Sequence, residues 1–182
     1  MRNFKVPTRE EVSADNQAIF DQLQSKLGFV PNLYAYYAKN PTALGDYLTF
    51  QNRKSTLKAK EREVVNLVVS EFNGCAYCLS AHTQIAKLNG FNEDQILQIR
   101  AGEAHFDNKL NALAQFTLSA LNNRGKATDV AINNLLEAGY SEENIIDIAI
   151  VIGDKTISNY IHNIADFAID FPVAQSLNTV EA

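Results

Sequence analysis

Apolar residues recur at helical spacing along most of the chain, and helix-capping residues separate the segments that carry them. Ser13 precedes an amphipathic segment that Gly28 closes, and Asn92 precedes a shorter one. Two runs rich in β-branched residues, 64–69 and 145–152, have the length and the flanking caps of helices rather than of buried strands. The pattern predicts an all-α protein.

The later helices are predicted from the same signals. Their approximate limits are 58–72, 75–88, 92–100, 108–121, 128–138 and 141–169. The last of these is long and strongly apolar, which favours self-association.

A ten-residue pattern occurs twice, at 90–99 and again at 139–148, which is a shift of 49 residues. It predicts a helical unit used twice. The reactive residues of the first copy are Glu63, Cys75, Cys78 and His82. At the same shift, the second copy has Ala112, Arg124, Ala127 and Ala131 in their places. Only the first copy therefore carries candidate chemistry.

The length of 182 residues suits a single domain. We expect four parts within it: an N-terminal helical arm over about 1–55, a catalytic repeat over about 56–102, a non-catalytic repeat over about 103–170, and a short tail over 171–182.

Composition and charge narrow the class of protein. Hydrophobic residues make up 46% of the chain, which excludes wholesale disorder. Sixteen Lys and Arg are scattered among 21 Asp and Glu, for a net charge of −5, so we expect no nucleic-acid partner. The first seven residues lack the apolar core of a signal peptide, and no apolar run is long enough to span a membrane. The expected location is the cytoplasm.

The two cysteines of the chain, Cys75 and Cys78, form one Cys-x-x-Cys. Gly74 ends the preceding helix, so both fall in the first turn of the next, where the helix dipole favours a thiolate. His82 follows Cys78 by one helical turn and can take its proton. This pattern predicts one thiol that attacks a peroxide or disulfide and a second that closes a disulfide, with no cofactor required.

Glu63 is the candidate third member of the site. It shares a polar helical stripe with Asn66 and Ser70, opposite a valine-rich face. If that stripe meets the cysteines, the carboxylate orients His82. Two other interpretations stay open: buried core thiols, and a zinc site in which His105 or an acid completes the ligands.

These residues resemble a known family. Arg62-Glu63, eleven further residues, Cys75-Ala-Tyr-Cys78 and then His82 are similar to the alkyl hydroperoxidase D (AhpD) core of the carboxymuconolactone decarboxylase superfamily. The segment 28–33 and the pair Asn40-Pro41 resemble its peroxidase-related branch. The likeness extends from about residue 28 to about residue 170.

The resemblance implies a duplicated helical fold, assembly as a homotrimer or hexamer, and peroxidase activity with Glu63 and His82 as a proton relay. Cys78 would meet an organic hydroperoxide, Cys75 would resolve it, and an external dithiol would return the electrons. Tyr77 stands where the best-known members carry a histidine, and a phenol that titrates near 10 cannot serve as a base near neutrality. Two alternatives remain: a lyase like the decarboxylases, and a non-enzymatic protein whose assembly the disulfide switches.

Overall fold

The computed structural model describes residues 4–177, and over that range it contains helices and no strand. The all-α prediction is confirmed. The helices are α1 (Ala14–Leu27), α2 (Asn32–Tyr37), α3 (Ala43–Gln51), α4 (Ala59–Phe72), α5 (Ala76–Leu88), α6 (Glu93–Arg100), α7 (Asn108–Asn122), α8 (Asp129–Glu137) and α9 (Glu142–Ala165).

The capping residues set the helix limits as the sequence predicts. The Ser13 side chain accepts the Asn16 N–H at the start of α1, and Gly28 ends that helix with φ of 82°. At α6 the Asn92 side chain accepts the Gln95 N–H, and the Gln95 side chain accepts the Asn92 N–H in return. These bonds satisfy backbone donors that a helix start leaves without partners.

The end of α9 differs from the prediction. The helix stops at Ala165 rather than near Ile169, because Asp166 adopts a left-handed conformation with φ of 50°. The Asp166 N–H donates to the His162 carbonyl at 2.7 Å, which closes the last turn. Aspartate tolerates this conformation better than most residues do, so the helix ends without the usual glycine.

The chain forms two compact units. The first contains residues up to 54 together with 161–170, and the second contains 55–160 together with the residues from 171 onward. The predicted division into an arm, two repeats and a tail stays a prediction. Residues 1–3 of the arm and 178–182 of the tail lie outside the described residues.

Stacked and hydrogen-bonded contacts hold the first unit together. The rings of Tyr37 and Tyr47 stack with centroids 4.5 Å apart. The buried Asn16 amide donates to the carbonyls of Ala38 and Asn40, which fixes the turn before α3. The Asn32 N–H donates to the Asp170 carboxylate at 2.7 Å.

The second unit is built around α4, which packs against α5, α6 and α7, while α8 packs on α7. The apolar side of α4 is wholly enclosed, and its burial is the main source of the unit's stability. The enclosed residues of α4 are Val64, Val65, Leu67, Val68 and Val69.

The duplicated helical unit is present. A shift of 49 residues carries α4 onto α7, the second half of α5 onto α8, and α6 onto the first turns of α9. Gly90 and Gly139 occupy equivalent turns with φ of 87° and 89°. Within residues 4–177, no helix combines the length and the apolar character that crossing a membrane requires.

Candidate active site

The paired cysteines lie where α4 ends and α5 begins. Gly74 turns the chain with φ of 61°, and the Cys75 N–H donates to the Ser70 carbonyl at 3.0 Å. Cys75 is the N-cap of α5, and its sulfur accepts the Cys78 N–H at 3.4 Å. Both sulfurs therefore sit at the helix start, where the free N–H groups and the dipole favour a thiolate.

The two sulfurs differ in their affinity for a proton. Cys75 and Cys78 are both free thiols, 0% and 2% exposed. A hydrogen bond from Cys75 lowers the pKa of Cys78 to about 6, against the opposing effect of burial and with help from the charges of Lys155 and His82. The same hydrogen bond raises the pKa of Cys75, and burial adds to the rise. Cys78 is thus the more acidic of the two thiols.

The polar stripe of α4 meets the histidine of α5. Glu63 Oε2 lies 2.7 Å from His82 Nδ1, and the Asn66 amide donates to Glu63 Oε1 at 2.9 Å. Burial alone would raise the pKa of Glu63, but the His82 charge and the bonds from His82 and Asn66 outweigh it, so the pKa is lowered. The carboxylate thus contacts the imidazole directly and holds its Nδ1 side.

Two functional candidates on α9, Lys155 and Asn159, were not found from the sequence. Asn159 is fully buried, and its amide donates to Ser70 Oγ at 3.3 Å while its oxygen accepts from the Asn73 amide at 3.0 Å. The Ser70 carbonyl accepts the Cys75 N–H, so Asn159 lies beside the cysteine segment, and its amide acts to lower the pKa of both thiols. Lys155 is 2% exposed, and its charge acts on Cys78 and Glu63.

A signal for this pair existed in the sequence. The apolar helix α9 carries a buried polar stripe at helical spacing, formed by Asp154, Lys155, Ser158, Asn159 and His162. Buried polar residues at this spacing mark a helix face that meets polar partners.

Tyr77 is packed into the interior beside the site. It is 1% exposed, and its ring meets the Phe171 ring edge-on with centroids 5.6 Å apart. Nearby, Ser80 Oγ accepts the Ala174 N–H at 3.1 Å, so the segment after residue 170 lies along α5. Tyr77 therefore contributes packing at a position where a histidine would contribute a base.

The other two histidines have separate surroundings. His105 is exposed and lies 2.8 Å from Glu103, and the buried His162 Nε2 lies 3.0 Å from the Phe167 carbonyl. Across residues 4–177 no group of three or more His, Cys, Asp and Glu side chains is arranged to hold a metal ion.

Known proteins share part of the sequence and the fold of this chain. Residues 36–106, which include all four predicted site residues, match the carboxymuconolactone decarboxylase family. The fold is similar to an uncharacterised peroxidase-related protein from Silicibacter sp. TM1040, with a TM-score of 0.81, 22% identity, and 97% of this chain and 95% of the other covered.

Two further solved structures share the fold. One is an uncharacterised peroxidase-related protein with an AhpD core from Ralstonia eutropha JMP134, with a TM-score of 0.80, 22% identity, and 96% and 93% of the two chains covered. The other is the debrominase Bmp8, seen with 2,3,4-tribromopyrrole, with a TM-score of 0.74, 20% identity, and 92% and 91% covered.

Residues 36–106 thus match the carboxymuconolactone decarboxylase family, and the chain as a whole shares its fold with AhpD-like, peroxidase-related proteins.

Proposed function

We propose that the protein is a thiol-dependent peroxidase that reduces organic hydroperoxides through Cys78 and Cys75. The observation that carries the proposal is the buried contact of Glu63 with His82, whose charge acts on a Cys78 thiol of lowered pKa, with Cys75 one turn away. A thiolate beside an oriented imidazole and a second thiol is the arrangement that peroxide reduction requires.

The first step oxidises Cys78. Its thiolate attacks the terminal oxygen of the hydroperoxide, an S–O bond forms, and the O–O bond breaks. Cys78 becomes a sulfenic acid, and the substrate leaves as an alkoxide that takes a proton to become the alcohol. His82 can supply this proton from Nε2, because Glu63 already engages Nδ1.

The second step closes the disulfide. The sulfur of Cys75 attacks the sulfur of Cys78, an S–S bond forms, and the S–O bond breaks. The hydroxyl group of the sulfenic acid leaves as water with the proton of the Cys75 thiol. An external dithiol then reduces the disulfide and is itself oxidised to a disulfide. We place this cycle in the cytoplasm, where reductants keep thiols reduced.

The test is the consumption of cumene hydroperoxide with dithiothreitol as the reductant. We expect turnover in the wild type, background rates in Cys78→Ser and Cys75→Ser, and a fall of about a hundredfold in His82→Ala. His105→Ala removes an exposed histidine and should match the wild type. Background rates in all these proteins would contradict the proposal.

The same variants separate the other activities open to this superfamily. Activity on a lactone acid that survives in both cysteine variants would indicate a lyase. Turnover of 2,3,4-tribromopyrrole without turnover of hydroperoxide would indicate chemistry like that of the debrominase. A disulfide that changes the oligomer size without any turnover would indicate a redox-switched interaction protein.

A further inference from the structure

We propose that Asn159 and Lys155 are positioning residues that stabilise the Cys78 thiolate from α9. Both are buried side chains of one helix, four residues apart, so they point the same way. The inference rests on the proposed function only for its consequence in turnover.

The amide of Asn159 is held in one orientation. Its oxygen accepts from the Asn73 amide at 3.0 Å, so its nitrogen faces Ser70, the residue whose carbonyl accepts the Cys75 N–H. The nitrogen carries two hydrogens, and one of them is sufficient for Ser70 Oγ. The other is available to the sulfurs, and a donor stabilises a thiolate more than a neutral thiol.

Lys155 contributes charge rather than a hydrogen bond. Within residues 4–177 no carboxylate lies within 4.0 Å of its ammonium group, although the residue is 2% exposed. A buried cation is costly unless anions stand near it. The anions on which its charge acts are Cys78 and Glu63, so the lysine favours the ionised forms of both.

The groups around Cys78 show why α9 is needed. The titratable and charged neighbours are Cys75 and His82 from α5, Lys155 from α9 and, through His82, Glu63 from α4. Position 77 is a tyrosine that packs against Phe171 and not a second histidine, so the imidazole of α5 is that of His82. Lys155 and Asn159 supply the additional positive charge and the additional donor.

The test measures the rate at which iodoacetamide alkylates Cys78 as a function of pH in the reduced full-length protein, with the site read by peptide mass spectrometry. The wild-type rate should rise with a midpoint near 6. Lys155→Met should raise that midpoint by about one pH unit. Asn159→Asp should raise it further, because it replaces a donor with a negative charge.

Controls and additional variants keep the test decisive. Lys126→Met and Asn133→Asp make the same chemical changes at exposed positions and should leave the midpoint unchanged. Lys155→Arg keeps the charge and should restore most of the wild-type value. If Asn159→Asp fails to fold, Asn159→Ala removes the donor without adding a charge and should still raise the midpoint.

Unshifted midpoints in folded Lys155→Met and Asn159→Ala would overturn the inference. No peroxide is present in this measurement, so its outcome is independent of the proposed function. Shifted midpoints in a protein that consumes no hydroperoxide would support the role of α9 and contradict the peroxidase. Normal hydroperoxide turnover with unshifted midpoints would support the peroxidase and contradict the role of α9.

Discussion

Burial and neighbouring groups have opposing effects on the pKa of Glu63. Its carboxylate is enclosed, yet His82 and Asn66 hold its pKa below the ordinary value of 4.5. In the unfolded chain the same carboxyl takes up a proton at a higher pH. The stabilisation from this group is therefore complete above about pH 4.5 and is lost as the pH falls through the lower, folded-state value.

Glu63→Gln should make the protein less stable near neutrality but less sensitive to acid. At pH 7 we expect the free energy of unfolding to fall by about 2 kcal/mol, because a charge-assisted hydrogen bond is lost. Urea unfolding at pH 7 and at pH 4 measures both effects. The wild type should lose more stability between the two than the variant does. Glu137→Gln, at an exposed site, should follow the wild type, and equal losses in Glu63→Gln would contradict the argument.

At the scale of the helix, Cys75 caps α5 and is also the resolving thiol of the proposed peroxidase. Its sulfur accepts the Cys78 N–H at the start of α5, whereas in the second copy Thr128 caps α8 by accepting the Ala131 N–H. Serine and threonine are among the preferred capping residues, and cysteine is not. The first copy therefore carries a weaker cap at the position where it carries a reactive thiol.

Cys75→Ser should separate these two roles. The serine oxygen accepts the same N–H more strongly, so we expect the free energy of unfolding to stay level or rise by up to about 1 kcal/mol, while peroxide turnover is lost. Cys75→Ala should lower it by about 1 kcal/mol, as should Thr128→Ala in the second copy. Thermal unfolding compares the four proteins, and a serine variant as unstable as the alanine variant would disprove the capping role.

Two glycines that end helices allow a matched test of packing. Gly102 and Gly139 have φ of 85° and 89°, so an added Cβ incurs the same backbone strain at both. At Gly102 that Cβ would also meet Leu118 Cδ2 at 2.5 Å, whereas nothing lies within 4 Å at Gly139. We expect Gly102→Ala to lower the free energy of unfolding by about 1 kcal/mol more than Gly139→Ala, measured in urea. Equal losses would show that Leu118 moves aside without cost.

The helices were predictable because adjacent residues determine where most of them begin and end. Asn92 caps the start of α6 and Gly90 follows the end of α5, and the structure has both helix limits there. Asp166 ends α9 without such a signal, since an aspartate is ordinary inside or outside a helix. That end depends on a backbone conformation that the residue type permits but does not indicate.

Across the whole molecule, the predictable part of the site was the part that is close in sequence. Cys75, Cys78 and His82 share one helix, and Glu63 belongs to the helix before it. Asn159 lies more than 75 residues beyond the cysteines, and only the packing of α9 brings it to them. Long-range packing of this kind leaves no local pattern, apart from polar residues that an apolar helix would otherwise exclude.

Self-association is the prediction that belongs to the assembled molecule. Ile157 and Tyr160 lie on one face of α9 and are exposed although they are large and apolar. We expect light scattering to give about three or six times the chain mass of 20.2 kDa. Ile157→Asp should reduce that mass, whereas Val130→Asp, at a more exposed apolar position on α8, should not. A monomeric wild type would contradict the prediction.

The burial of both sulfurs has a consequence for the timing of the reaction. Cys78 is 2% exposed, so in the proposed peroxidase each turnover must await a fluctuation that opens a path to its sulfur. At high oxidant concentration the oxidation rate should then level off at the opening frequency, whatever the strength of the O–O bond. Small and bulky hydroperoxides would differ in how often an opening admits them. At a sudden rise in oxidant concentration, the oxidation rate of the protein would therefore stay constant at the frequency of its own opening fluctuations.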